Sequence, residues 1–318
     1  MRTKFYMIAL AAISMMLGSC SDSNSEFSQD YLADTPIKLN VSVDEPTTRA
    51  GYSDADKPTG FVLEVVNHNA DKYNYLVWAK KVGDSWKTYK PDETLKGGTD
   101  EEVTMLWANM NDKVDVTAFT NIGTITIPTD QTSDDQLKEA DVLYMPFTKY
   151  TPTNKGITVN LQHAMSKINL TIELGSEYEF SEEDVDLKIT DVKIDGSSVS
   201  GDLASGGIYD VSGDPTPISP FCTGTTPYSK TNGTITKAKA TYEAILIPQD
   251  IASGKFTVSF KVDGKLYEWT YNQELTLAPT TAYTLKLTAG DDKVQPVSFS
   301  VAPWGEGNGK DGEKKETD

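Results

Sequence analysis

Alternating or short apolar runs of four to seven residues recur along most of this chain, the pattern of buried or half-buried β-strands. Such runs fall at 37–43, 61–66, 73–78, 114–119, 157–161, 168–174 and 185–189 in the first part. They continue at 244–247, 256–262, 266–271, 283–287 and 297–301. Clusters of Gly, Pro, Asp and Asn interrupt them. The sharpest is Val262-Asp263-Gly264-Lys265, where Asp-Gly stands between two alternating runs and predicts a two-residue hairpin. Helical signals are sparse. Ser133-Asp134-Asp135-Gln136 has the capping-box pattern, and Leu137 to Ala140 can complete one or two turns. Ser181-Glu182-Glu183-Asp184 is a second helix start or a solvated turn. The expectation is an all-β protein built as two tandem β-sandwich domains.

A break between domains is expected near Gly175-Ser176-Glu177, which gives an N-terminal domain over 36–175 and a C-terminal domain over 176–304. The stretch 201–224, rich in Gly, Ser, Pro and Thr, reads as long loops. The polar tail 305–318 is charged and glycine-rich and is expected to be disordered.

The first residues carry a different message. Arg2 and Lys4 precede a largely apolar run over 5–17, too short to span a bilayer comfortably, which ends at Leu17-Gly18-Ser19-Cys20. That is a lipoprotein signal peptide over 1–19, with Cys20 as the acylated first residue of the mature chain. Residues 20–35 then form a flexible tether. Once Cys20 is lipidated only Cys222 remains, so no internal disulfide is available and the core must carry the stability; buried and inert is the default for Cys222. A formal net charge of −18 over 318 residues argues against nucleic acid and against direct attraction to anionic lipid.

Catalytic chemistry finds little support. The two histidines, His68 and His163, lie on separate strand-like runs, and no spacing suits a metal site. The adjacent acids Glu101-Glu102, Glu182-Glu183 and Asp291-Asp292 would point to opposite faces of a strand. No nucleophile motif surrounds Cys222. No enzyme, cofactor or metal is implied. Of five tryptophans, the alternation around Trp78 and Trp269 assigns these two to the core, although an exposed Trp could stack on a sugar.

Among the 29 basic residues only Arg2 and Arg49 are arginines, so an arginine-specific protease acting after export has one peptide bond to cut, Arg49-Ala50. The cut lies just beyond the run Ile37-Lys38-Leu39-Asn40-Val41-Ser42-Val43, in which Ile37, Leu39, Val41 and Val43 form one apolar face. Removing 36–49 would take a strand from a folded domain and leave a groove open to strand addition.

Taken with Ala140-Asp141-Val142-Leu143-Tyr144, Leu161-Gln162-His163-Ala164-Met165-Ser166-Lys167-Ile168 and the late Ala302-Pro303-Trp304-Gly305, the lipobox and the Thr-Thr-Arg-Ala site give a chain that resembles the fimbrillin family of anaerobic Gram-negative bacteria. The resemblance implies two transthyretin-like β-sandwich domains and delivery to the outer membrane as a lipoprotein. It also implies cleavage by an arginine-specific protease and polymerisation with other pilin subunits into a fimbria that serves adhesion. Carried onto this chain, the processed bond is Arg49-Ala50 and the lost strand is 37–43. A candidate donor strand spans 294–301, where Val297, Phe299 and Val301 alternate with polar residues; the same run is equally well the last strand of the second domain. The alternative is a protein held permanently to outer-membrane lipid through Cys20, as a pilus anchor or a glycan- or ligand-binding surface lipoprotein.

Overall fold

The computed structural model describes residues 32–43, 51–53, 55–175, 178, 184–185, 189–203, 209–231, 234–290 and 293–304. The signal peptide, Cys20, Arg49, Ala50 and the tail 305–318 lie outside the described residues. Within them the chain is all-β apart from one short α-helix and one 3-10 turn.

Nine strands precede the middle of the chain: β1 (Leu39–Val43), β2 (Gly60–Asn67), β3 (Tyr75–Val82), β4 (Ser85–Pro91), β5 (Gly98–Glu102), β6 (Val114–Phe119), β7 (Gly123–Thr126), β8 (Leu143–Tyr150) and β9 (Ile157–His163). Eight of them form one sheet in the order β1-β9-β8-β6-β2-β3-β4-β5. β8 meets β9 only at Leu143↔His163 and Tyr144↔Gln162, so the sheet folds over at that corner. Its two arms close on one core: Val41 and Val43 from β1 and Ile157, Val159 and Leu161 from β9 face Phe61, Leu63, Val77 and Val116. The other end of the sheet is β5, whose five residues, including Asp100, Glu101 and Glu102, are all exposed.

The second core belongs to a five-stranded sheet. Its centre is β10 (Ser166–Leu174), flanked by the strand Lys239–Leu246 (antiparallel) and the strand Thr281–Ala289 (parallel). The edges are the strand Phe221–Thr226 and the C-terminal strand Val294–Pro303. The run expected to close the first domain is thus the middle strand of the second sheet. The alternation at Ile168, Leu170, Ile172 and Leu174 fixed a strand with one buried face, but periodicity does not say which partner covers that face. The second core also reaches back to Ile125, Ile127, Leu137, Ala140 and Val142. β7 pairs with the strand Ser198–Leu203, and helix α1 (Asp134–Ala140) contacts the strand Lys239–Leu246. The seam between the cores therefore lies earlier in the chain than Gly175.

Local chemistry explains several elements. Ser133 caps α1 by accepting from the Gln136 amide while the Gln136 side chain accepts from the Ser133 amide, the reciprocal pair read from sequence. Asp263 and Gly264 both have positive φ, at 49° and 84°, between strands Thr257–Val262 and Lys265–Thr270, as the Asp-Gly turn requires. The stretch 201–224 departs from expectation. It carries the strands Tyr209–Pro215 and Phe221–Thr226 and the end of Ser198–Leu203. Gly- and Ser-rich edge strands lack apolar alternation because most of their side chains stay in solvent, as along Phe221–Thr226.

Candidate functional site: an edge-strand groove and a charged seam

β1 holds the edge of the first sheet through one neighbour, β9, in parallel register from Leu39↔Ile157 to Val43↔Leu161. Just before it, the chain runs antiparallel to 105–107: the Asp34 amide donates to the Trp107 carbonyl (2.9 Å) and the Ile37 amide to the Met105 carbonyl (2.9 Å). Val41 and Val43 are buried, and Ile37 and Leu39 are half-buried against the same core. Beneath them Ile157, Val159 and Leu161 are fully covered. The sequence-predicted removable run 37–43 thus contains a strand two residues shorter than expected, with Leu39, Val41 and Val43 of the strand and Ile37 just before it on the core side. The Lys57 ammonium donates to the Val41 carbonyl (2.7 Å) and the Asn40 amide side chain to the Lys155 carbonyl (3.0 Å). Gly156, at φ +82°, lets β9 start close against β1; a Cβ there would lie 2.1 Å from the Lys38 carbonyl oxygen.

The candidate donor strand sits elsewhere. The strand Val294–Pro303 pairs along its length with Thr281–Ala289, from Ala289↔Val294 to Thr281↔Pro303, and touches neither β1 nor β9 in the strand pairing. The ladder shifts register at Pro296, where a ladder donor is missing. Val297 and Val301 are 64 % and 58 % exposed on this open edge. Phe299 is half-buried, its ring tilted at 5.0 Å from Tyr271. Within one chain, then, the strand closes its own sheet and leaves an apolar outer row.

Between the two cores lies a group that sequence reading noticed only as a pattern. His163 ends β9 and Lys167 is the second residue of β10, so the tight crossing between them places both side chains at the seam. The His163 Nδ1 lies 2.8 Å from Asp141 Oδ1, and both side chains are out of solvent. Asp141 Oδ2 accepts from the Tyr52 amide (2.8 Å), and Gly51, at φ +91°, packs so closely that a Cβ would fall 2.5 Å from that oxygen. The His163 ring stacks on Trp304, with centroids 4.3 Å apart and planes 3° from parallel. The Lys167 ammonium lies 2.9 Å from Glu243 Oε2 and 5.8 Å from the centre of the Trp304 ring. Burial pushes the Lys167 amine below its ordinary value of 10.5, and the carboxylates of Glu243 and Asp141 oppose that shift. Burial and the Asp141 carboxylate likewise raise the Tyr52 phenol. Lys138 fastens the same region: it bridges Asp56 (2.5 Å) and Asp134 (2.6 Å), and both carboxylates hold its amine above the usual lysine value.

The remaining candidates resolve simply. Cys222 is exposed, contrary to the buried default, because its strand lies at a sheet edge. His68 pairs with Asp115 at 2.8 Å on the surface. Trp107, Trp269 and Trp304 are buried. Trp78 is only half-buried, on the face opposite Val77 and Ala79, where it lies against the Cα atoms of Gly60 and Gly98. No group of His, Cys, Asp and Glu among the described residues could hold a metal.

These features define a two-core, all-β protein with an edge strand held by one neighbour. A fimbrillin-like family model matches residues 61–304, and the chain belongs to that family of fimbrial proteins. No curated protein matches the sequence. Among solved structures, a candidate cell adhesion protein from Bacteroides ovatus is 15 % identical, with a TM-score of 0.58 over 86 % of this chain and 98 % of that one. A candidate cell adhesion protein from Bacteroides uniformis is 17 % identical, with a TM-score of 0.52 over 85 % and 99 %. A fimbrial protein from Bacteroides vulgatus, 15 % identical over 85 % and 99 %, has a TM-score of 0.47. At these identities the likeness is one of fold.

Proposed function

We propose that the protein is a fimbrial subunit that polymerises after an arginine-specific protease removes its first strand at Arg49-Ala50. Export as a lipoprotein through Cys20 delivers it to the outer membrane, and cleavage then releases it from the lipid. The observation that carries this reading is the seating of β1: an edge strand, one ladder neighbour, and a row of apolar side chains seated on the first core. Burial of Val41 and Val43, with half that for Ile37 and Leu39, contributes roughly 5–9 kcal/mol at 1.5–3 kcal/mol per fully buried side chain, an upper figure. Loss of β1 also strips hydrogen-bond partners from one side of β9. A strand from another subunit restores both. Val297, Phe299 and Val301 of a neighbouring copy present the required alternation, and they support adhesion fibres built from copies of this chain or from related subunits.

The test is the N-terminal residue and apparent mass of the protein in native outer-membrane material, with and without heating. A start at Ala50 with heat-labile ladders is the expected result. An acylated start at Cys20 with monomer alone would overturn it and leave a permanent pilus anchor or a ligand-binding surface lipoprotein.

A further inference from the structure

The cluster at the seam joins parts of the chain that a packing role alone would not require to meet. β9 carries β1 on its edge through residues 157–161 and ends, two residues later, at His163. Asp141 fixes the His163 ring through Nδ1 and, with its other oxygen, holds the backbone of Tyr52, in the stretch that follows β1. The opposite partner of the ring is Trp304, which directly follows the C-terminal strand and is pinned by its amide to the Thr280 carbonyl (2.7 Å). The Lys167–Glu243 pair closes the cluster on the side of the second sheet.

We propose that Asp141, His163 and Trp304 form a latch that couples the seating of the C-terminal strand to the occupancy of the β1 groove. The stacked contact exists only while the His163 ring is held in one plane. That plane is set by Asp141 and by the backbone of β9, which pairs with Leu143 of β8 at His163 itself and carries β1 on its outer edge up to Leu161. Freeing the β9 edge loosens His163, and the face on which Trp304 rests is lost. The C-terminal strand then keeps its ladder to Thr281–Ala289 and the packing of Phe299 against Tyr271 and Tyr283, with Val297 and Val301 exposed. By thermodynamic reciprocity, releasing Trp304 loosens β1 and the stretch at Tyr52 by the same factor. The biological consequence rests on the strand-removal reading above: a subunit keeps its C-terminal strand docked until its own first strand is gone. The coupling is measured in the uncleaved chain, so either idea can fail without the other.

Residue-resolved hydrogen exchange on the full chain tests it. Trp304→Leu is expected to speed exchange at the amides of Tyr52 and of Asn40 and Ser42, the β1 residues that face β9, by about tenfold, a common size for coupling between sites. Trp304→Phe keeps an aromatic face against His163 and is expected to restore most of the protection. Val297→Ser, which perturbs the same strand at its exposed row, is expected to leave those amides unchanged. In the reverse direction Asp141→Asn replaces charge-assisted hydrogen bonds with weaker ones and is expected to speed exchange of the Trp304 amide. Faster exchange confined to the second sheet in Trp304→Leu would show Trp304 to be a core anchor only and would overturn the latch. Should that variant not fold, Asp141→Asn decides: an unchanged Trp304 amide refutes the coupling.

Discussion

Among the described residues Lys167 is the only lysine in the fully covered core, and it sets up a sharp energetic test. Its ammonium is matched by Glu243 at 2.9 Å, and both side chains are out of water or nearly so. Replacing Lys167 by Met keeps the aliphatic stem and removes the charge, which strands the Glu243 carboxylate in a region lined by Ala244, Ile245 and Trp304. Breaking one half of a buried pair costs about 3–5 kcal/mol, whereas replacing both halves with apolar residues is close to neutral or stabilising. At roughly 2–4 °C per kcal/mol for bodies of this size, Lys167→Met should lower the temperature at which the second core unfolds by about 6–20 °C in scanning calorimetry. Lys167→Met with Glu243→Leu should recover most of it. The pH dependence has a defined sign. Burial holds the amine below 10.5, so between its folded value and 10.5 the unfolded chain binds more protons and stability rises with pH. The Met variant loses that contribution. A single variant within about 1 kcal/mol of the parent, or a double variant in which the two losses simply add, would refute the buried-pair argument.

Other positions give independent checks. Gly156→Ala places a Cβ against the Lys38 carbonyl at positive φ, and urea unfolding of the first core should show a loss of more than about 1–3 kcal/mol. Gln131 is fully buried and bonds both the amide and the carbonyl of Ile245; Gln131→Leu leaves these backbone groups unpaired and should cost about 2–3 kcal/mol by the same measurement. Ser133→Ala removes one half of the α1 capping box and should cost about 1 kcal/mol, while Ser133→Asp, another good cap, should cost much less.

The strands were legible because a one-sided core imposes alternation: β2, β6, β9 and β10 fall where the apolar period placed them. The turn at Asp263-Gly264 and the cap at Ser133 were legible because each needs particular residues. What stayed hidden was partnership. The alternation in 168–174 is the same whether that strand closes one sheet or centres the next. The outer-face placement of Trp78 depends on Gly60 and Gly98, which are remote or unremarkable in sequence. Strand β1 could be read because its apolar alternation lies just before Arg49, one of two arginines in the chain. The seam could not, because Asp141, Lys167, Glu243 and Trp304 are scattered over more than half the chain, and only the odd presence of a lysine within an apolar run hinted at it.

The two ends of the eight-stranded sheet are not equivalent. At β5 an incoming backbone meets Asp100, Glu101 and Glu102 in full solvent, and the short, charged rim repels any strand of this acidic protein. At β1 the strand carries no acidic side chain, and its buried face, with Val41 and Val43, is continuous with the core. Side-by-side stacking into disordered aggregates is thereby discouraged at one flank, and the difference between the flanks gives the proposed head-to-tail growth a direction set by the subunit itself.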